Sequence, residues 1–265
     1  MTRHGYHMVQ LSPWPLVASV GAFAGVVGMV NWFHGKGVFV MTVGTVLLAW
    51  TMVGWWWDVV VEATFLGRHT SLVYRGLRVG VLCFIMSEVF FFFTFFWSYI
   101  YYSKVMGHMW PPEGIIPLYP YGVPLLNTVI LVGSGFTVTW SQRCLSSGDR
   151  EQALVGLFLT VGLGVFFTYV QACEFFATSF TIADTVYGSV FFIMTGFHGI
   201  HVIVGTVFLT VCWLRMWRNH FAPSHHFGFT SASWYWHFVD VVWIFLFILV
   251  YCMSWHRYVK MMSYY

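Results

Sequence analysis

Charge is what this chain has least of. Lys and Arg number 12 and Asp and Glu 9 in 265 residues, or 8%, where an ordinary soluble domain carries roughly a quarter. With 59% hydrophobic residues, no soluble fold could cover the apolar surface, so the chain reads as an integral membrane protein. The formal net charge of +3 is scattered, and the lack of a basic run excludes nucleic acid as a partner. Lysine is scarcest: Lys36, Lys104 and Lys260 all lie outside the long apolar runs, which excludes a retinal Schiff base in the last span. The five cysteines, Cys83, Cys144, Cys173, Cys212 and Cys252, form no CxxC pair and leave an odd one over. Neither a disulfide framework nor a zinc site follows, and small apolar filler is their expected role. Also missing are a Gly-rich phosphate loop and a nucleophile–base constellation, so no catalytic residue and no metal ligand is assigned. The first residues, MTRHGYHMVQLSPWP, lack a signal cleavage site and the Arg- and Ser-rich character of a transit peptide. Insertion through the first helix itself is expected, as in a bacterial inner-membrane protein or one made inside an organelle.

What is present is a series of seven apolar runs, each near the roughly 20 residues needed to cross the hydrocarbon core. They cover Leu16–Phe33, Val38–Val60, Val79–Tyr101, Leu125–Gln142, Leu154–Phe176, Val186–Trp213 and Trp234–Trp255. The expected fold is all-α and polytopic, one membrane domain over residues 1–265, with no self-similar halves. The sixth run is long enough to tilt or project. On the N-terminal side fall Arg3, Arg68, Arg75, Arg78, Arg143, Arg150, Arg215 and Arg218; on the other, Lys36, Lys104, Arg257 and Lys260. That bias of eight to four places the N-terminus inside. Gly21, Gly25 and Gly28, and again Gly196 and Gly199, mark faces where helices could approach closely.

Ionisable groups inside spans are costly, so each is a functional candidate. Glu88 stands in FIMSEVFFFFTFF, roughly 15 Å into the third span at about 1.5 Å per residue. Asp240 and His237 lie one turn apart in the seventh. His198 and His201 lie mid-way along the sixth, three apart and so on one face. Three readings remain open at this point: a proton relay, ligation of haem or metal, and mutual hydrogen bonding that fixes how helices meet. An H-x-x-H pair without further ligands is a weak metal signal. A carboxyl in apolar surroundings favours its neutral form, which needs one acceptor, and His201 is the first candidate for it. Arg215 and Arg218, with Arg68, Arg75, Arg78, His69, His225 and His226, are placed at inner span ends. They suit anionic lipid headgroups as well as plain positive-inside signalling. WWW at 55–57 and WYW at 234–236 are placed at span ends as aromatic belts. A seven-helix transporter or channel would use the buried acids, with a receptor as a third choice.

SPWP at 12–15, GLRVGVLCFIMSEVFFF at 76–92, WPPEGI at 110–115, VPLLNT at 123–128, VYGSVFFIMTGFHGIHVIVGT at 186–206 and HHFGFTSASWYWHFVDVVW at 225–243 together resemble subunit III of the haem–copper cytochrome c oxidases. The resemblance runs essentially end to end, and length and N-terminus are nearer the mitochondrial form. It implies a two-helix part (16–60) and a five-helix part (79–255) around a lipid-filled cleft, in the mitochondrial inner membrane or, alternatively, a bacterial one. It also implies a non-redox subunit of respiratory complex IV that packs on subunit I, beside subunit II and accessory subunits, and supports proton uptake during oxygen reduction. Haem a and copper are then expected in the partner subunits, and bound anionic phospholipid on this chain. Glu88 matches the family's intramembrane glutamate, and Glu62, His69, Arg215 and Arg218 match cleft-lining positions. Trp57 and Val61 depart from the family pattern, which puts an arginine at each place and so puts the lipid's identity in doubt. The tail after Trp255, HRYVKMMSYY, runs past the family's usual end, either to touch a partner subunit or as a disordered end.

Overall fold

A computed structural model of the chain describes residues 5–263. Arg3, counted above for orientation, and Tyr264 and Tyr265 of the tail lie outside the described residues. Eight α-helices follow in order: α1 Trp14–Phe33, α2 Phe39–Thr64, α3 Ser71–Val105, α4 Val123–Ser147, α5 Arg150–Ala177, α6 Val186–Trp217, α7 Phe227–Leu246 and α8 Met253–Met262. A π-helical stretch, Phe247–Cys252, joins α7 to α8, so Phe227–Met262 runs as one rod. Among the described residues no β-strand forms; one isolated bridge links Ala222 and His225. Among the described residues, seven helices are long and apolar enough to cross a membrane. The protein is an all-α, polytopic membrane protein.

Two spans begin well before their apolar runs do. α3 starts at Ser71 rather than Val79 and runs 35 residues, because no proline interrupts it and Arg75 and Arg78 do not break a helix. α7 starts at Phe227 rather than Trp234 for the same reason: FGFTSAS is weakly apolar but free of helix breakers. Hydropathy finds the lipid-compatible centre of a helix and is blind to its polar ends. The tail is helical through Met262, which overturns disorder for that part of it.

The chain forms two compact units, Met1–Val79 and Gly80–Tyr265. In the first, α1 and α2 pack as a hairpin closed by Gly35 and Gly37 at positive φ. A Cβ on Gly28 would sit 2.1 Å from the Met41 backbone, and one on Gly44 2.3 Å from that of Gly25. Small residues therefore set this helix contact. Gly196 and Gly199, marked for the same role, have nothing within 4 Å.

In the second unit α4 packs on α5 and α7, and α6 on α5 and α7. Gly148, in the left-handed conformation, ends α4, and Asp149 caps α5 by accepting from the Gln152 amide; this tight turn makes the two helices antiparallel. Arg150 then donates to the Met216 and Trp217 carbonyls at 3.0 and 2.6 Å, adding to the Asn219 amide at Met216 and tying the start of α5 to the end of α6. α7 supplies the centre of the core: Phe229, Trp236, Trp243 and Leu246 are fully buried. Trp236 occupies space left by Gly164 and Gly205 and donates to Ser134 Oγ at 2.8 Å. The WYW triplet is thus not an interfacial belt in full, because Tyr235 and Trp236 lie inside the helix bundle. Of the cysteines only Cys212 is buried; the filler reading does not extend to Cys83 and Cys173, which are exposed.

Candidate functional site

Glu88 projects from α3 and His201 from α6, and their side chains meet: Glu88 Oε2 lies 2.8 Å from His201 Nε2. Both are largely withdrawn from the surface, at 22% and 13% exposure. The other ring nitrogen, Nδ1, lies 2.7 Å from the Phe197 carbonyl. A carbonyl only accepts, so Nδ1 carries a proton. The Nε2–Oε2 contact must then hold one proton of its own, either as a carboxyl donating to the imidazole or as an imidazolium donating to a carboxylate. In both forms the pair is neutral as a whole. Phe91, Phe92, Tyr235 and Phe238 surround the imidazole, so the pair is walled by aromatic rings.

The other intramembrane groups do not join it. A three-residue spacing predicts a shared face for His198 and His201, but at 3.6 residues per turn they diverge. His198 is fully buried. Its Nε2 donates to the Val239 carbonyl at 3.3 Å, and its ring lies between Phe167 and Trp243. His237 turns toward α4: its Nε2 lies 3.2 Å from Thr139 Oγ1 and its Nδ1 3.5 Å from Asp240 Oδ2. Gly135 makes room for that carboxylate, since a Cβ there would come within 2.7 Å of Oδ2. The five residues thus form three separate groups.

A fourth group was not among the sequence candidates. Asn127 donates to Gln171 Oε1 at 3.1 Å, Gln171 to Tyr251 Oη at 3.4 Å, and Tyr251 to Glu174 Oε1 at 2.8 Å. Glu174 is 4% exposed and lies within the fifth apolar run, so the rule that singled out Glu88 also reaches it. Asp58 is a further omission of the same kind, and accepts from Trp14 Nε1 at 2.5 Å.

In the first unit, residues 5–12 lie against the end of α2. Thr70 Oγ1 donates to the Gly5 carbonyl, and His7 Nε2 lies 3.0 Å from Glu62 Oε2. No sequence spacing reveals a pair 55 residues apart. Beneath this segment is a cavity of about 550 Å³ whose polar end holds Asp58, Glu62, His7 and His69, with Trp14 and Trp55 on its apolar side. Burial and the neighbouring His7 lower the His69 pKa, against the pull of Glu62. Val61 lines the cavity, whereas Trp57 does not and is 54% exposed. In the second unit the Arg215 guanidinium lies 4.4 Å over the Phe221 ring, and Arg218 is exposed at the end of α6. The pKa of His220 is lowered by burial and by both arginines. Among the described residues, no three of His, Cys, Asp and Glu gather as a metal-holding group.

Comparison with known proteins agrees with the motifs. The profile of the family described as Cytochrome c oxidase subunit III matches residues 4–255. Proteins named "Cytochrome c oxidase subunit 3" are similar throughout. That of Lumbricus terrestris is 51% identical over 255 residues, covering 95% of this chain and 98% of the relative. That of Pisaster ochraceus is 53% identical over 253 residues, covering 94% and 97%, and that of Equus caballus 51% over 252 residues with the same coverage. Several long motifs in one order, on seven apolar helices, leave one conclusion: this chain belongs to the cytochrome c oxidase subunit III family.

Proposed function

We propose that this chain is a non-redox core subunit of the oxidase, packed on subunit I in the mitochondrial inner membrane, with its N-terminus in the matrix. It holds structural lipid and supports proton uptake by subunit I. Haem a and copper stand in the partner subunits. The observation that carries the reading is the separation of the intramembrane polar groups. A proton path or ion site needs donors and acceptors in continuous reach, whereas Glu88–His201, His198, His237–Asp240 and the chain Asn127–Gln171–Tyr251–Glu174 bond separate sets of protein groups, with His198 Nδ1, Asp240 Oδ1 and Glu174 Oε2 left without a partner. This favours support over a stand-alone transporter.

The lipid assignment rests on two places. The cavity at Glu62 and His69 joins an apolar wall to a polar end of carboxylates and imidazoles, so it suits a headgroup that carries an ammonium beside its phosphate. Arg215 and Arg218 suit the phosphate of an anionic lipid. In the purified complex, Arg215→Ala with Arg218→Ala is expected to lower retained anionic phospholipid, measured by mass spectrometry of the extract. Unchanged lipid content would sink that assignment. For the oxidase itself, a tagged chain drawn from membranes in mild detergent is expected to bring a-type haem absorbance and larger partner chains with it. A colourless, solitary chain from membranes containing intact oxidase would overturn the reading in favour of transport.

A further inference from the structure

We propose that residues 5–12 are a strap that closes the cavity of the first unit and slows the exchange of its lipid. The proposal rests on the lipid reading of that cavity and deepens it. The strap takes no regular secondary structure, and Tyr6, His7, Val9, Gln10, Leu11 and Ser12 form one side of the cavity. The other sides come from α2 and the start of α3, through residues such as Trp55, Glu62, Leu72 and Val73. With the strap lifted, what remains is an open groove.

One end of the strap is fixed. Trp14 seats its ring against Gly54, where a Cβ would come within 2.5 Å of it. Its Nε1 donates to Asp58 Oδ2 at 2.5 Å, and its ring packs edge-on against Trp50. Pro13 and Pro15 flank it and stiffen the backbone at this pivot. The other end is held by polar contacts: His7 Nε2 lies 3.0 Å from Glu62 Oε2, and Thr70 Oγ1 donates to the Gly5 carbonyl. Asp58 and Glu62 stand one turn apart on α2, so pivot and latch share a helix face. Between them little resists opening. Of residues 5–12 only His7 is withdrawn from the surface, while Tyr6, Met8 and Val9 are 66%, 66% and 70% exposed. A segment with so few buried contacts opens at far less cost than the helices around it. Latch and lipid are compatible, because a carboxylate accepts on both oxygens and Glu62 can serve His7 and a headgroup ammonium together.

A reversible bolt tests the strap. A Cβ on Gly5 would lie 3.9 Å from the Leu72 Cβ, within the roughly 3.5–4.5 Å that a disulfide spans. Gly5→Cys with Leu72→Cys therefore locks the strap down on oxidation. Intact oxidase carrying the pair is incubated with phosphatidylethanolamine bearing a photoactivatable acyl chain, and label on cavity-lining peptides is followed in time by mass spectrometry. Labelling is expected to be several-fold slower in the oxidised form than in the reduced one, with the parent oxidase indifferent to the same oxidant. His7→Ala carries the same test without new cysteines. It is expected to speed labelling by up to about tenfold, the factor for one lost hydrogen bond. His7→Gln, which returns an N–H at similar reach, is expected to restore the parent rate. Labelling of the cavity at one rate in the oxidised, reduced and His7→Ala forms overturns the strap and leaves the lipid reading standing. No label in the cavity in any form overturns the lipid reading, and the strap with it.

Discussion

Glu88 keeps its place in an apolar helix because it is half of a neutral pair. Proton counting at His201 requires this: Nδ1 is committed to the Phe197 carbonyl, so one shared proton lies between Nε2 and Oε2. Glu88→Gln retains a donor to Nε2, whereas Glu88→Ala strands a largely buried nitrogen. The alanine variant is expected to lower stability by about 1–3 kcal/mol and the glutamine variant by much less, read as thermal loss of haem-bearing complex. Equal losses would mean that the hydrogen bond does not hold this contact. The pairing was legible in sequence, since both residues fall at similar depth in their runs. Glu174 was equally legible by the same rule, with Gln171 one turn before it on α5, but Tyr251, which links the two, lies near the chain's end, and no spacing points to it. His7 and Glu62 were beyond reach for the same reason.

At the level of helices, the sequence marked seven spans correctly in number and order, because about 20 consecutive apolar residues are hard to place anywhere but in a bilayer. It misjudged where α3 and α7 begin, since helix propensity continues where hydropathy fades. It also misjudged WYW at 234–236: aromatic side chains serve belts and cores alike, and only the glycines at 164 and 205 reveal which. Glycine spacing was informative for α1, where the α2 backbone comes into contact, while at Gly196 and Gly199 no atom of this chain lies within 4 Å of a Cβ. Gly44→Ala puts a methyl 2.3 Å from the Gly25 amide nitrogen and is expected to cost about 1–3 kcal/mol as overpacking. Gly76→Ala, with nothing within 4 Å, is expected to be neutral or to stabilise by up to about 1 kcal/mol. Thermal melts of the two variant complexes distinguish them, and a tolerated Gly44→Ala would refute the close helix contact.

For the whole molecule, the polar groups that membrane physics marks as suspicious are shared among separate clusters, each bonded within the protein but with Asn127 Oδ1, Glu174 Oε2, His198 Nδ1 and Asp240 Oδ1 left without a partner. That pattern fits a subunit that holds lipid and braces a redox partner, and fits poorly with one that conducts protons itself. Family membership could be read from motifs alone, because several long stretches occur in one order. The internal division of labour could not, since it depends on which helix faces which. Proton uptake during oxygen reduction by the purified complex carrying Glu88→Gln is the most direct test. Removing a group that transfers a proton in the reaction costs on the order of 100-fold or more. Turnover and proton uptake within about twofold of the parent are expected if Glu88 and His201 only hold helices together; a collapse of uptake with the complex intact would make Glu88 a step in the proton path.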